Sequence, residues 1–241
     1  MLTGSESGRA GAVRWLFTDR AGGVSVDPYS SLNLATHVGD ASGAVSENRA
    51  AGLTLLSGAG ALASMRPTHG TGVAVVTAPG EAEDVDALVT TEPGLALLAL
   101  GADCVPVVLF DLAAGVVGAV HTGWRGLRDD VVGAALSAML GLGARGQRIE
   151  ALLGPAICGP CYPVPAERAQ EIEGVAPPAV GTCKDGQPSI DLRVGISYRL
   201  ARSGVSARYV GGCTAEDSRY FSHRRDGITG RQGAFVVLDR A

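Results

Sequence analysis

Residues Leu95–Gly126 read LALLALGADCVPVVLFDLAAGVVGAVHTGWRG. The stretch divides into three short apolar runs, Leu95–Leu100, Val105–Phe110 and Gly115–Val120. None is long enough to span a membrane, and the last two are rich in valine. They therefore predict strands buried on both faces and lying side by side. Their ends carry the reactive groups. Asp103 and Cys104 close one link, His121 stands where the third run stops, and Trp124-Arg125-Gly126 follows. A thiol, an imidazole, a carboxylate and a guanidinium are thus expected at neighbouring strand ends. The same residues also fit a buried core cysteine and a histidine that merely ends a strand.

Working outward, apolar and polar runs alternate with no internal repeat and no linker, which predicts one α/β domain over 13–241 behind a disordered leader, 1–12. Upstream, Val13–Thr18 reads as a strand with Trp15 and Phe17 on one face. A glycine turn and a loop lead to His37-Val38-Gly39-Asp40. A helix is predicted from Asp40 or Ser42 to Leu56, ending in the glycines after Ser57. Met65–Val76 reads as two strands about a turn at His69-Gly70, and Ala82–Leu88 as an acidic connection. Downstream, Leu127–Leu142 has helical spacing, with Asp129 and Asp130 suited to its first turn. A strand at Ile149–Leu153, helices at Glu167–Glu173 and Asp191–Arg202, and strands at Val205–Val210 and Ala234–Leu238 complete the pattern.

Composition narrows the chemistry. The chain has 241 residues, 46% hydrophobic and 18% charged, an ordinary globular balance. Lys184 is its single lysine and sits in a surface turn beside Gly186, which argues against Schiff-base and P-loop chemistry. A net charge of −4 gives no basic field for extended nucleic acid. No twenty-residue apolar span and no signal-peptide core are evident, so a cytoplasmic location is the expectation, with no membrane partner. Five cysteines in such a chain argue against a disulfide framework.

With only four histidines, each can be weighed. His69 and His121 both end strands, and Cys104 lies between them in sequence. Two imidazoles and a thiolate would make a three-ligand zinc site with one position open, as in catalytic zinc. The spacings are long and match no short metal motif. A second reading makes Cys104 a nucleophile and His121 its base, with Asp103 or another carboxylate as the orienter. Both need the same proximity, so spacing does not choose between them. Cys158-Gly159-Pro160-Cys161 has redox-motif spacing, but Pro155, Pro163 and Pro165 resist a helix starting at the first cysteine. It reads as a turn with two incidental thiols. His223 sits among Arg219, Arg224, Arg225 and Arg231, as a solvated basic face or an anion contact. His37 reads as structural.

These residues resemble a known family, the YfiH-like or laccase-domain proteins, also labelled multicopper polyphenol oxidases. The resemblance runs from about Thr18 to Leu238. It is carried by Thr18-Asp19-Arg20-Ala21-Gly22-Gly23-Val24-Ser25, Pro28-Tyr29-Ser30-Ser31-Leu32-Asn33-Leu34, His37-Val38-Gly39-Asp40 and Glu47-Asn48-Arg49. His69-Gly70, Asp86-Ala87-Leu88-Val89-Thr90, Ala102-Asp103-Cys104-Val105-Pro106-Val107 and His121-Thr122-Gly123-Trp124-Arg125-Gly126 continue it. Gly154-Pro155-Ala156-Ile157, Cys213-Thr214, Phe221-Ser222-His223-Arg224-Arg225-Asp226 and Thr229-Gly230-Arg231 complete it.

The resemblance implies a layered α/β/β/α fold of the cysteine-hydrolase type, with His69, Cys104 and His121 as metal ligands. It implies activity on purine nucleosides: phosphorolysis of adenosine, inosine, guanosine or methylthioadenosine, and deamination of adenosine. It also links bacterial members to editing of peptidoglycan precursors. Zinc is the metal expected, with copper as the alternative. A multicopper oxidase needs several imidazoles per copper, which four histidines cannot supply, and one copper on a His2Cys site does not make a laccase. Asp103 is a candidate proton carrier, and Arg20, Arg125, Arg224 and Arg225 are candidates to hold phosphate. Pro67, Pro163, Ile196 and Arg199 depart from the residues common in the family. None is a ligand, so the departures bear on substrate preference.

Overall fold

The computed structural model describes residues 5–56 and 59–240; the first four residues of the expected leader, and Ser57-Gly58 at the expected helix end, lie outside them. An antiparallel hairpin of β1 (Glu6–Ala10) and β2 (Val13–Phe17) leads through a long loop to helix α1 (Ser42–Leu56). Strands β3 (Ala61–Met65), β4 (Val73–Val75), β5 (Gly80–Ala82) and β6 (Ala87–Thr90) follow, then β7 (Leu95–Gly101), β8 (Val105–Asp111) and β9 (Val116–Thr122). Helices α2 (Trp124–Asp129) and α3 (Val131–Gly141) precede β10 (Glu150–Leu153) and α4 (Ala166–Glu173). The chain closes with β11 (Val180–Thr182), β12 (Pro188–Ile190), α5 (Leu192–Arg202), β13 (Ser206–Tyr209), α6 (His223–Asp226) and β14 (Gln232–Leu238).

Two mixed sheets form, ordered β1-β2-β14-β7-β3-β5 and β13-β10-β8-β9-β6-β4, beside a small β11-β12 hairpin. The alternation of side chains along each central strand shows how they stack. In β7, Leu95, Leu97 and Ala99 point into an apolar layer shared with Val108 and Phe110 of β8 and Val117 and Ala119 of β9. Ala96, Leu98 and Leu100 point the other way, against Leu56 of α1 and the loop leucines Leu32 and Leu34. On the far side, Val105, Val107 and Leu109 of β8 pack under α3, α4 and α5 through Val132, Met139, Ile172 and Ile196. The result is the layered α/β/β/α arrangement. Leu97 is fully buried between the sheets. Leu97→Ala is expected to lower unfolding free energy by about 2–5 kcal/mol in a denaturant titration.

Several sequence expectations change. The three apolar runs do not all lie side by side: β8 pairs with β9, but β7 belongs to the opposite sheet, between β14 and β3. Both faces of β7 are apolar, so hydrophobicity could not say which sheet it joins. Within the expected disordered leader, Glu6–Ala10 is an edge strand in register with β2, and the Trp15 ring covers Gly8 so closely that a Cβ would not fit. The expected helix over Leu127–Leu142 starts at Trp124 and is broken at Asp130, which takes a left-handed φ of 68°. Asp130 closes α2, and its carboxylate then caps α3 by accepting from the Gly133 N–H. Met65 ends β3 rather than starting a strand, and the acidic connection contains the end of β5 and the start of β6. Among the described residues no helix is long and apolar enough to cross a membrane.

Candidate active site and metal centre

The chain passes from the first sheet into the second three times before β9, between β3 and β4, β5 and β6, and β7 and β8. Each crossing delivers one residue to the same place. The first carries His69, the second Asp86 and the third Cys104. His121 then arrives on β9, paired in register with Pro106 of β8. Each of these crossings holds a non-glycine residue in left-handed backbone, His69 at φ 61°, Asp84 at φ 56° and Asp103 at φ 91°. Such conformations persist where surrounding contacts fix them, and they concentrate at sites.

Asp86 supplies much of that fixing. It is fully buried. Its Oδ2 accepts from the Thr68 N–H at 3.2 Å, the Thr68 hydroxyl at 3.2 Å and the Gly70 N–H at 2.8 Å. Its Oδ1 accepts from the His69 N–H at 2.9 Å and from His121 Nδ1 at 2.8 Å. One carboxylate therefore shapes the His69 turn and sets the His121 tautomer, leaving His121 Nε2 for Cys104. Burial alone would raise the Asp86 pKa, but His121 and the backbone N–H groups of Gly70 and Thr68 outweigh it and hold the carboxyl below its ordinary value.

Cys104 Sγ lies 3.8 Å from His69 Nε2. The two imidazole rings meet edge to face with centroids 4.7 Å apart. One ligand atom from each of His69, Cys104 and His121 falls within 4.8 Å of the others. Burial pushes the Cys104 thiol up, yet His121 and then His69 reverse this and bring it down to about 6. Burial likewise lowers His121, but the Cys104 and Asp86 charges drive it up to about 9. A thiolate and an imidazolium therefore face each other at neutral pH in the metal-free protein. This donor set, two imidazoles and an acidic thiol with one imidazole held by a carboxylate, fits a zinc-type ion with an open position. Gly123 leaves the room. A Cβ there would stand 2.9 Å from His69 Cδ2 and 3.0 Å from Cys104 Sγ. Gly123→Ala is expected to weaken zinc binding roughly tenfold or more, read by chelator competition, with the fold retained in circular dichroism.

Two cavity lobes, of about 290 and 260 Å³, meet at His69, Ala102, Cys104 and His223. The first is also lined by His37, His121 and Arg231, so all four histidines of the chain share one cavity. Burial, then the neighbouring Arg231, lowers the His37 pKa and keeps that ring neutral. Its loop is seated by Glu81, which accepts from Thr36 Oγ1 at 2.9 Å and pairs with Arg49 at 2.8 Å. The second lobe is flatter and more aromatic, lined by Trp124, Ile157, Tyr162 and Leu192 with Arg125 and Arg224. Arg125, Arg128 and Arg168 all lie against the Trp124 ring, Arg168 closest at 4.3 Å.

The other expected site residues divide. Arg125 and Arg224 reach the cavity. Arg20 and Arg225 do not line it: Arg20 donates to the Ser30 carbonyl at 3.0 Å, and Arg225 to the carbonyls of Thr214 and Tyr220 at 2.7 Å each. Their guanidinium groups close loops. Asp103 touches the second lobe, but its oxygens accept from Thr214 Oγ1 at 2.6 Å, Ser222 Oγ at 2.7 Å and the Arg224 N–H at 2.6 Å. That makes it an anchor for two loops rather than a free proton carrier. Sequence reasoning does not single out Asp86, Gly123 or Tyr162 as site residues and reads His37 as structural; Arg231, one of the arginines expected around His223 as a basic face or anion contact, does line the cavity. Of the departures, Pro67 lines the cavity, Pro163 offers its carbonyl to Arg224, Ile196 is core, and Arg199 donates to the carbonyls of Leu127 and Arg128 at the end of α2.

A family described as multi-copper polyphenol oxidoreductase laccase matches residues 14–239. The purine nucleoside phosphorylase ORF3 of Streptomyces griseus is 46% identical over 95% of this chain and 96% of its own. The purine nucleoside phosphorylase YfiH of Shigella flexneri is 36% identical over 91% of each. Among solved structures, YlmD from Geobacillus stearothermophilus superposes with a TM-score of 0.88 at 30% identity, over 95% of this chain and 93% of that one.

Proposed function

The chain belongs to the multi-copper polyphenol oxidoreductase laccase family, and from that premise we propose that it is a cytoplasmic, zinc-dependent purine nucleoside enzyme. Its reactions are phosphorolysis of adenosine, inosine, guanosine or methylthioadenosine, and deamination of adenosine. The observation that carries this reading is the two-lobed cavity whose halves join at the Cys104–histidine cluster, with guanidinium groups in both. Relatives that match it nearly end to end bear the name purine nucleoside phosphorylase.

The aromatic lobe suits a flat base, which Trp124 and Tyr162 would flank while Ile157 and Leu192 exclude water. Arg231, His37 and His223 in the other lobe suit an anion and the sugar hydroxyls. In phosphorolysis the bond from the sugar C1′ to the base breaks as a bond from C1′ to a phosphate oxygen forms. The guanidinium groups would hold that phosphate in line. In deamination, water replaces the amino group at C6 and ammonia leaves. A zinc ion held by His69, Cys104 and His121 would supply a Lewis acid and a water of lowered pKa. Asp86 keeps His121 oriented through Nδ1, and Tyr162 stays protonated because burial, then the Cys104 charge, raises its pKa.

The test is a panel of nucleosides with phosphate, read by chromatography on metal-defined protein. Phosphate-dependent release of free base, lost on metal removal, is expected. No product from any nucleoside, or equal rates without metal, would overturn the reading.

A second reading is favoured by one arrangement. Cys104, His121 and Asp86 stand in the order thiol, imidazole, carboxylate, as in a cysteine hydrolase, and such an enzyme would act on an amide or glycosidic peptidoglycan precursor. In metal-stripped protein the alkylation of Cys104 by iodoacetamide should rise through pH about 6 rather than near the ordinary 9.0. The sign follows from a lowered thiol pKa: the thiolate is present above about 6 and lost as pH falls through it. Peptide mass spectrometry reads the profile. A cysteine hydrolase keeps its activity when metal is removed; the zinc enzyme does not.

A further inference from the structure

The CxxC turn reads from sequence as two incidental thiols, but the fold gives it company. Cys158, Cys161, Cys213 and Glu216 each place one donor atom within 4.8 Å of the others. The three cysteines are free and half-buried, and Glu216 is exposed. Cys158 precedes and Cys161 ends a single 3-10 turn, Gly159–Cys161, between β10 and α4. Cys213 and Glu216 come from the connection after β13.

The two loops are stapled by backbone. Ala156 and Cys213 form a parallel bridge, and the Thr214 N–H donates to the Ala156 carbonyl at 3.1 Å. The Cys158 N–H points at Cys213 Sγ at 3.3 Å, and the Gly159 N–H is held by Asp191 at 3.1 Å. The thiols therefore converge on a backbone whose positions are already set. Redox CxxC pairs use two thiols at the start of a helix, where the dipole activates one of them. Here the turn is too short to be a helix start, and a third thiol and a carboxylate join from another loop. Three sulfurs and one carboxylate oxygen are a tetrahedral donor set for a thiophilic cation. Ligands roughly 2.0–2.3 Å from such an ion stand roughly 3.3–3.8 Å apart, so small rotamer changes close the set.

We propose that Cys158, Cys161, Cys213 and Glu216 form a second, structural zinc site, separate from the His69–Cys104–His121 cluster. Zinc displaces the thiol protons on binding, with no redox change. The site braces the loops that seat Asp103. The Ile157 N–H donates to the Asp103 carbonyl at 3.1 Å, and Thr214 Oγ1 to its carboxylate at 2.6 Å.

The test uses full-length protein purified with reductant, loaded with zinc or cobalt(II). Cys104→Ala, which disables the first cluster, should still hold one zinc equivalent by elemental analysis. Its cobalt form should show thiolate-to-cobalt charge transfer and tetrahedral ligand-field bands. Adding Cys213→Ser should abolish both. If that variant does not fold, Glu216→Gln on the surface serves instead, with zinc affinity expected to fall roughly tenfold or more. Cys104→Ala protein that binds neither metal, or a Cys158–Cys161 disulfide as its main form, would overturn the proposal. Because the readout is stoichiometry in a Cys104→Ala background, it is independent of whether the first cluster acts on nucleosides.

Discussion

Cys104→Ala is expected to abolish metal binding at the His69–Cys104–His121 cluster and nucleoside turnover with it. The thiol is the one anionic donor of the three, and its low pKa shows that both imidazoles already favour the thiolate. Losing it leaves two neutral donors, so affinity should fall by more than the roughly 100-fold seen when a residue that merely orients a ligand is removed. Cys104 sits half-buried in the link before β8, outside the apolar layers, so the variant should fold. Thermal melting with a saturating chelator checks that point: the variant should still melt in one cooperative transition, lowered only by loss of the Cys104–His121 charge pair. Cys104→Ser keeps the size but not the acidity and should behave like alanine. Wild-type turnover by either variant would sink the metal-centre reading.

Asp86 is the second position of large effect, through a different cause. Five donors converge on one fully buried carboxylate, two from Thr68 and one each from His69, Gly70 and His121. Asp86→Ala strands them all and should destabilise the protein by about 3–5 kcal/mol. Asp86→Asn is the sharper probe. Whichever way the amide turns, its NH2 faces groups that donate, either the His69 N–H with His121 Nδ1 or the Thr68–Gly70 pair. Zinc affinity should drop about 10- to 100-fold, measured by chelator competition, with the loss larger than the change in melting alone accounts for. The pH dependence follows from the lowered Asp86 pKa. Its contribution is complete above the ordinary carboxylate value of 3.8 and is lost as pH falls through the lower folded value. Full zinc affinity in Asp86→Asn would show that the carboxylate does not govern the histidines.

Much of the site could be read because its parts sit at the ends of strongly apolar runs. Cys104 stands just before one apolar run and His121 just after another, and strand ends are where side chains reach a cleft. His69 enters as a candidate ligand from residue type and its place at a strand end, but its long spacing to Cys104 matches no metal motif, and the resemblance is what favours it. Asp86 stayed hidden because a lone aspartate in an acidic connection looks solvated; what makes it central is that three strand crossings stack, and stacking is not a local property. Asp103 was misjudged for the same reason. Its adjacency to Cys104 suggested proton transfer, while its partners, Thr214 and Ser222, lie far along the chain. The fold class followed from valine-rich runs alternating with helical spacing. The assignment of β7 did not, because a strand apolar on both faces fits either sheet equally well.

The three crossings between sheets have a consequence for how the protein comes to be active. His69, Asp86 and Cys104 lie on separate passages and His121 on β9, so no short segment of the chain carries the whole cluster. Affinity of this cluster for a metal would appear only once those passages have been brought together. An ion held there would act as a buckle across those passages, binding the folded form alone and raising the melting temperature with its free concentration. Metal uptake at this cluster during refolding should therefore lag the return of helical signal and coincide with the last step of tertiary assembly.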